Sequence, residues 1–192
     1  AEFRKIISDI EKYKPLFLRA YPTPLMFLAK QIANDTGKYM GKSLVAINTT
    51  GSTLFDQDRD FIQKVFGVPI FDSYSCEGSA YFAQCDLQTY HPSHEYAISE
   101  FIADKYSIQD KEQPFRHITT DLHNYANPFI RYDTQDYVVL GEDCKCKCGR
   151  NMKNIKKIKG RDTDILVSPS GKYILMENIY GYFEDKPQIL QI

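Results

Sequence analysis

The sequence predicts an α/β fold, with a partial parallel α/β layer followed by a small, distorted antiparallel β-barrel. A strand, a helix and a second strand follow one another between residues 44 and 74, which is the order of a parallel layer. After about residue 80 the apolar positions alternate in short runs, which is typical of antiparallel strands. The content of 43% hydrophobic and 26% charged residues is that of a packed globular chain.

Helices are predicted over residues 1–38 and again over residues 56–66. Within the first range a helix is expected to begin at Pro24, because Thr23 can cap it and proline suits the first helical position. In the second range the apolar residues recur at helical spacing, and Gly67 follows as a terminator.

Five short segments predict strands. The apolar runs Leu44–Asn48 and Val68–Tyr74 suit buried strands of the parallel layer, and Glu95–Ile102 alternates between apolar and polar residues. Two further short runs, Tyr137–Leu140 and Ile165–Val167, are rich in residues that favour strands.

The bulk properties exclude several classes of protein. With 24 basic and 25 acidic side chains, the whole chain has no electrostatic reason to bind nucleic acid or acidic membranes. No apolar run approaches the roughly 20 residues that span a bilayer, and Ala1–Lys5 does not begin a signal peptide. Five cysteines, three of them clustered within residues 144–148, favour a reducing compartment with metal or thiols. We therefore expect a cytoplasmic protein.

Three segments carry a resemblance to a known family: Asn127–Asp136 (NPFIRYDTQD), Cys144–Arg150 (CKCKCGR) and Gly160–Asp164 (GRDTD). In this order and spacing they resemble the adenylate-forming ligases, in the branch of phenylacetate–CoA ligases and CapK-type capsular-polysaccharide enzymes. Earlier segments extend the resemblance, since Thr49–Leu54 (TTGSTL) and Asp72–Glu77 (DSYSCE) look like two further motifs of that family.

The sequence departs from the family pattern at three places. Ser52 stands where the family commonly has glutamate, and Ser75 and Gln135 stand where it usually has glycine. The segment between Tyr74 and Glu77 is also one residue shorter than the family motif. These departures affect the expected nucleotide-binding segments themselves.

The resemblance implies an enzyme that activates a carboxylic acid with ATP and passes the acyl group to a thiol such as coenzyme A. Carried over by position, Tyr74 would stack on adenine, and Glu77 would help to hold Mg²⁺ on the phosphates. Asp136 would accept hydrogen bonds from the ribose hydroxyls, and Arg161 would contact ribose or phosphate. From the residues alone, Asp136 could instead cap a turn or pair with Arg131, and Glu77 could lie in a turn or the first turn of a helix.

A metal site is predicted from four residues: Cys85, His91, Cys146 and Cys148. Three cysteines and one histidine make a typical closed structural zinc site. Cys144 could replace Cys146, and His94 could replace His91. The alternative is a set of surface thiols on a turn, without metal.

The resemblance also implies a partial enzyme with three regions: an α/β subdomain over 1–80, a barrel over 81–159, and the hinge and start of a C-terminal lid over 160–192. No Ser/Thr/Gly-rich phosphate loop and no catalytic lysine of the lid match this sequence, so the 192 residues alone are expected to be inactive. A homodimer would bury the open edges of the α/β layer. The substrate would be a carboxylic acid, for instance an aryl acid.

A different class of function also fits part of the chain. Residues 145–161 contain eight basic and no acidic residues, so a non-catalytic, zinc-stabilised binding module could use this stretch. The stretch lacks interleaved aromatic residues for base stacking, and a solvated face explains it more simply. Asp136 separates the two hypotheses, since only the ligase needs it for adenylate binding.

Overall fold

The structure is a computed structural model, and it describes residues 2–103, 113–141, 146–161, 165–170 and 173–175. Within those ranges the chain forms these helices and strands: α1 (Glu2–Tyr13), β1 (Phe17–Ala20), α2 (Pro22–Asp35), β2 (Ala46–Thr50), α3 (Asp56–Phe66), β3 (Ile70–Cys76), β4 (Ala80–Gln84), β5 (Tyr90–Pro92), β6 (Ala97–Ala103), β7 (Pro114–Asp121), β8 (Tyr132–Leu140), β9 (Ile155–Arg161), β10 (Ile165–Val167) and β11 (Tyr173–Leu175).

The chain divides into two compact units. Unit 1 comprises Ala1–Ser75 and Phe82–Gln88, and unit 2 comprises Cys76–Tyr81 and Thr89–Ile192. The predicted boundaries at residues 80 and 159 stay predictions. The expected lid region, residues 160–192, lies mostly outside the described residues. Within it the structure describes the end of β9, the paired strands β10 and β11, and residues 168–170 after β10.

Unit 1 contains the predicted parallel layer. Strand β2 pairs in parallel with β1 on one side and with β3 on the other. The prediction of a partial parallel α/β layer is thereby confirmed. The sequence pattern missed β1, because four residues in which exposed and half-buried positions alternate are too few to show a period against the surrounding helices.

The predicted ends of two helices in unit 1 can be compared with the observed ones. Helix α2 begins at Pro22, not at Pro24, and Tyr21 precedes it without a side-chain capping bond. Pro22 already supplies the fixed backbone angle of a first helical residue, which places Thr23 inside the helix. Helix α3 spans Asp56–Phe66 as predicted, and Gly67 ends it in the left-handed conformation.

The core of unit 1 lies between the helices and the parallel strands. Helix α2 contributes Leu25, Leu28 and Ile32, and they pack in one cluster with Ile47 of β2 and Ile62 of α3. Burial of each such side chain stabilises the fold by about 1.5–3 kcal/mol. This packing fixes the helices against the strands that carry the polar residues described below.

Unit 2 consists mainly of antiparallel strands in the order β5-β9-β8-β7-β6. The antiparallel character is confirmed, and the strands do not close into a full barrel among the described residues, since β6 has a hydrogen-bonded neighbour only in β7. Alternating side chains fix the period of a strand and its buried face. This alternation does not determine which strands pair with each other, and closure of a β-barrel depends on that pairing.

One buried histidine lies within the sheet of unit 2. His117 of β7 is fully buried, and its Nε2 lies 3.2 Å from the Ser99 hydroxyl of β6. Burial lowers the pKa of His117 to about 4, and the nearby carboxylate of Asp133 opposes this shift only in part. The imidazole is therefore neutral in the folded chain at pH 7.

Among the described residues, no helix is both long enough and apolar enough to cross a membrane. The longest helix in the described part of the chain, α2, has 14 residues.

We predict that His117 makes folding sensitive to acid. The folded-state pKa of about 4 lies below the ordinary value of 6.5. The unfolded chain therefore binds the proton first, and stability is lost as the pH falls from about 6.5 to about 4. The loss approaches about 3 kcal/mol. Urea unfolding across this range should show a flatter pH dependence in His117→Gln than in the wild type.

The matched control is His94→Gln, because His94 is exposed. That variant should keep the wild-type slope. An unchanged slope in His117→Gln would contradict the assignment to His117.

Candidate nucleotide and metal sites

A bulge in β8 sets the position of Asp136. Ile118 of β7 pairs with Asp133, whereas Arg116 pairs with Tyr137, so residues 134–136 of β8 lie opposite His117 alone. Gln135 adopts a left-handed conformation with φ 62°. Additional residues on one strand bend it and redirect its side chains. The bulge therefore decides which way the following carboxylate points.

Asp136 is a buried carboxylate with a cationic neighbour. Only 7% of Asp136 is exposed, and its Oδ1 lies 3.4 Å from Nε of Arg161, its register partner on β9. The Arg161 side chain is more than half exposed. Arg131 instead pairs with Glu100 at 3.1 Å, so the alternative pairing of Asp136 with Arg131 is not the one observed.

Two hydrogen bonds hold the backbone next to this carboxylate. The N–H of Asp136 donates to the Thr134 hydroxyl at 3.1 Å, and that hydroxyl donates to the carbonyl of His117 at 2.9 Å. Both contacts are buried, and an unsatisfied buried donor would cost about 1–3 kcal/mol. Thr134 therefore ties the bulge to β7.

Glu77 lies at the tip of a tight turn. Glu77 and Gly78 have φ angles of 46° and 71°, and the N–H of Ser79 donates to the carbonyl of Cys76 at 2.7 Å. Positive φ at both central residues is the geometry of a primed hairpin turn. The turn interpretation of Glu77 is thus the observed one, not the helical one. Its side chain is exposed and accessible to a ligand.

Tyr74 belongs to unit 1 and lies near the end of β3. Its ring is half-buried and stacks on Phe82 with the ring centroids 4.9 Å apart. An aromatic ring held in this way loses little further freedom when a planar group stacks on it.

The sequence prediction missed a polar cluster that the paired strands β2 and β3 share within the parallel layer. The Thr49 hydroxyl donates to the carboxylate of Asp72, and both residues are buried. The Ser73 hydroxyl donates to the carbonyl of Thr49 at 3.0 Å, and Asn48 donates to the carbonyl of Phe71 at 2.9 Å. The polar residues that end two adjacent apolar runs were the available signal.

A buried arginine supports this cluster. Arg59 of α3 donates to the carbonyl of Ile70 at 2.8 Å and to Oε1 of Gln84 at 3.0 Å. The same oxygen accepts the N–H of Asp72 at 2.8 Å. The position of Asp72 therefore depends on Arg59 of α3 and on Gln84, which are distant from Asp72 in the sequence.

Three of the four predicted metal ligands lie together in unit 2. The ligand atoms of His91, Cys146 and Cys148 lie within 4.8 Å of one another, and Nε2 of His91 is 3.5 Å from Sγ of Cys148. Gly149, with φ 87°, closes the turn by donating to the carbonyl of Cys146 at 3.0 Å. Cys85, the fourth predicted ligand, is buried at the end of β4 in unit 1.

The donor set fits a zinc ion. His91 is buried, and its Nδ1 has no hydrogen-bond partner among the described residues. Burial, and to a smaller extent the charge of Arg150, lowers the pKa of His91, which favours the neutral imidazole that metals bind. Zinc is commonly held by such cysteine and histidine sets. The alternative ligand His94 is exposed, and Cys144 lies outside the described residues.

The chain is similar to known proteins in sequence and in fold. No protein-family model matches the chain. A relative among curated proteins, Protein CapK of Staphylococcus aureus, is 26% identical over 166 residues, covering 84% of this chain and 35% of that protein. In fold, 2-hydroxyisobutyryl-CoA ligase bound to 2-HIB-AMP and CoA is similar, with a TM-score of 0.76 and 16% identity over 96% of this chain and 45% of that one. The chain has the fold of the adenylate-forming ligases.

Two further solved structures extend the likeness to this ligase fold. Anthranilate CoA ligase AuaEII in complex with anthranoyl-AMP has a TM-score of 0.68 and 14% identity, with coverage of 96% of this chain and 37% of that one. The amide bond synthetase McbA from Marinactinospora thermotolerans has a TM-score of 0.67 and 12% identity, with coverage of 98% and 40%. This chain therefore spans about a third of the curated relative and less than half of these ligase-fold structures.

We predict that the left-handed residue of the bulge stores strain. Glycine is usual at this position in the ligases that the sequence resembles, and Gln135 occupies it here at φ 62°. Gln135→Gly should have a higher free energy of unfolding than Gln135→Ala, by about 1 kcal/mol, because only glycine adopts this conformation without a steric cost. Chemical denaturation of the two variants measures the difference.

The same pair of substitutions at Gln63, within α3, provides the control. There the order should reverse, with glycine less stable than alanine by about 1 kcal/mol. If Gln135→Ala were more stable than Gln135→Gly, residue 135 would not adopt the left-handed conformation.

Proposed function

We propose that this chain is part of an ATP-dependent ligase that activates a carboxylic acid as an acyl-adenylate. The observation that carries the proposal is the buried carboxylate of Asp136, held by the β8 bulge and paired with Arg161. A fixed carboxylate next to a partly exposed arginine suits a ribose and its phosphate. Two similar structures contain acyl-adenylates, namely 2-HIB-AMP and anthranoyl-AMP.

Each proposed role follows from the chemistry of the side chain. Asp136 accepts the two ribose hydroxyls, because a carboxylate forms strong charge-assisted hydrogen bonds. Arg161 is always charged and presents several donors to phosphate oxygens. Tyr74 offers its ring to adenine, and Glu77 supplies a carboxylate to Mg²⁺, which prefers carboxylate and phosphate oxygens. Mg²⁺ would neutralise charge on the phosphates.

The activated acid then passes to a thiol, and we propose coenzyme A as that acceptor. The named CoA ligases among the similar structures support a thiol, whereas the amide bond synthetase shows that the fold alone does not fix the acceptor. An aryl acid remains our candidate substrate. We further propose a cytoplasmic location and a homodimer, with β1 as an open edge of the parallel layer of unit 1 that self-association could cover.

We also propose a structural zinc site formed by Cys85, His91, Cys146 and Cys148. The close approach of the last three residues supports it, as does the unpartnered Nδ1 of His91. Cys85 lies only six positions before His91 in the chain, and the N–H of Gln88 donates to its carbonyl at 2.8 Å, which turns the chain after Cys85. A four-ligand site leaves no open position, so the metal would stabilise the fold without taking part in catalysis.

The first test is nucleotide binding by the 192-residue chain. Isothermal titration should detect AMP binding, and Asp136→Asn should weaken it at least about tenfold, because a charge-assisted bond contributes about 1.5–3 kcal/mol. Glu95→Gln removes a charge from an exposed position and should leave the affinity unchanged.

The rival binding module predicts the reverse pattern. Substitution of Lys153 and Lys156 would then abolish nucleic-acid binding with a steep salt dependence, and Asp136 would not matter. Two observations weigh against it, since Lys159 is buried and Lys153 lies 5.5 Å from the ring of Phe101. Adenylate formation at full rate by the isolated chain would contradict its proposed status as a partial enzyme.

The second test is the metal content of the chain purified under reducing conditions. Elemental analysis should find about one zinc per chain. Cys85→Ser, Cys146→Ser and Cys148→Ser should each lose it, and their thermal unfolding should no longer respond to a chelator.

Cys76→Ser is the matched control, because Cys76 is also a buried cysteine but is not a proposed ligand. It should retain the zinc, and so should Cys144→Ser. Loss of zinc in Cys144→Ser with retention in Cys146→Ser would transfer the ligand role to Cys144. Reduced wild-type protein without zinc would overturn the site.

A further inference from the structure

The turn that carries Glu77 is attached to two other elements of unit 2. The hydroxyl of Tyr96, just before β6, donates to the carbonyl of Gly78 at 2.7 Å. The hydroxyl of Thr119, within β7, donates to the next carbonyl, that of Ser79, at 2.6 Å. Two consecutive carbonyls of one turn are therefore held by side chains that lie 18 and 40 positions away in the chain.

The two hydrogen bonds lie in different surroundings. Thr119 and Ser79 are both fully buried, so their bond satisfies polar groups that water cannot reach. Gly78 is exposed, and Tyr96 is half-buried. The bond from Thr119 thus belongs to the interior of unit 2, whereas the bond from Tyr96 lies at the tip of the turn, next to Glu77.

The ring of Tyr96 is itself held in place. It packs against the imidazole of His123, with the ring centroids 5.5 Å apart and the ring planes inclined by 31°. The backbone N–H of His123 donates to Oδ1 of Asp121 at 2.7 Å, and its Nε2 lies 2.9 Å from the carbonyl oxygen of Glu95. These contacts restrict the rotation of the Tyr96 side chain, so its hydroxyl is preorganised as a donor to the turn.

The turn needs such support because of its backbone conformation. Glu77 has a φ angle of 46°, and Gly78 has one of 71°. A left-handed glutamate persists only where surrounding contacts impose that conformation. An exposed carboxylate on a mobile turn must also be ordered when it binds a metal ion, which weakens the binding. A hydrogen bond to the carbonyl of the neighbouring Gly78 reduces this ordering cost.

We propose that Tyr96 is a positioning residue for Glu77, whose carboxylate is the proposed ligand of Mg²⁺. Its hydroxyl fixes the tip of the turn, and thereby the direction of the carboxylate. This inference rests on the proposed Mg²⁺ role of Glu77. In this role Tyr96 contacts neither the nucleotide nor the metal ion. Its loss should therefore affect the Mg²⁺-dependent part of ATP binding and leave AMP binding, for which Asp136 is the proposed ligand, unchanged.

The test measures how much Mg²⁺ strengthens ATP binding by the 192-residue chain. Titration calorimetry gives the Kd for ATP with and without Mg²⁺, and the Kd for AMP. In the wild type, Mg²⁺ should lower the Kd for ATP about tenfold or more, and Glu77→Gln should abolish this effect. Tyr96→Phe removes only the hydroxyl, so it should reduce the Mg²⁺ effect about fivefold and keep the wild-type affinity for AMP.

Tyr125→Phe is the matched control. It also removes one phenol hydroxyl, from the segment that contains His123, but Tyr125 is 89% exposed. This variant should show the same Mg²⁺ effect on ATP binding as the wild type, and the same affinity for AMP.

The possible outcomes separate this inference from the proposed function on which it rests. No Mg²⁺ effect in the wild type, or an undiminished one in Glu77→Gln, would overturn the Mg²⁺ role of Glu77 and the inference with it. A full Mg²⁺ effect in Tyr96→Phe, together with its loss in Glu77→Gln, would overturn the positioning role alone. An equal fall in the AMP affinity of Tyr96→Phe would indicate a general structural effect and would also overturn the positioning role.

Discussion

The constraint that organises both units is the cost of a buried carboxylate. Unit 1 buries Asp72 and satisfies it through Thr49, while unit 2 buries Asp136 and satisfies it through Arg161. A buried charge without a partner would destabilise either unit by several kcal/mol. In each unit the partner lies on the adjacent strand, so correct strand register is a condition for burying the acid at all. The burial of each acidic residue therefore depends on the register of the strand that carries it.

The second theme is local backbone strain at the positions that direct functional side chains. Gln135 and Glu77 both have positive φ angles. Gln135 directly precedes Asp136, the proposed ribose ligand, and Glu77 is itself the proposed Mg²⁺ ligand. Such conformations cost roughly 1–2 kcal/mol for residues other than glycine, and they persist only where surrounding contacts impose them. Thr134 and the Cys76–Ser79 hydrogen bond supply those contacts here. A residue other than glycine at position 135 thus carries an energetic cost, which the surrounding hydrogen bonds offset.

Several elements could be predicted from local sequence because their causes are local. Helix α3 was predicted to the residue, since its apolar spacing and Gly67 lie within one short segment. The start of α2 was displaced by two residues, because Pro22 and Pro24 satisfy the same rule and only the fold selects between them. Strand β1 was missed, as its pairing with β2 joins residues that are about 29 positions apart.

The sequence by itself determined the α/β character, the parallel layer, the antiparallel strands and the family resemblance. The periodicity of apolar residues and the order of motifs can be read from the chain without knowing any tertiary contact. It also determined which residue types could bind a metal, and it named His91, Cys146 and Cys148 together. Only the tertiary structure decided that Asp136 pairs with Arg161 and not with Arg131. It alone decided that Arg59 and Gln84 hold Asp72. These contacts depend on strand register, on a bulge and on packing between distant segments, none of which local sequence encodes.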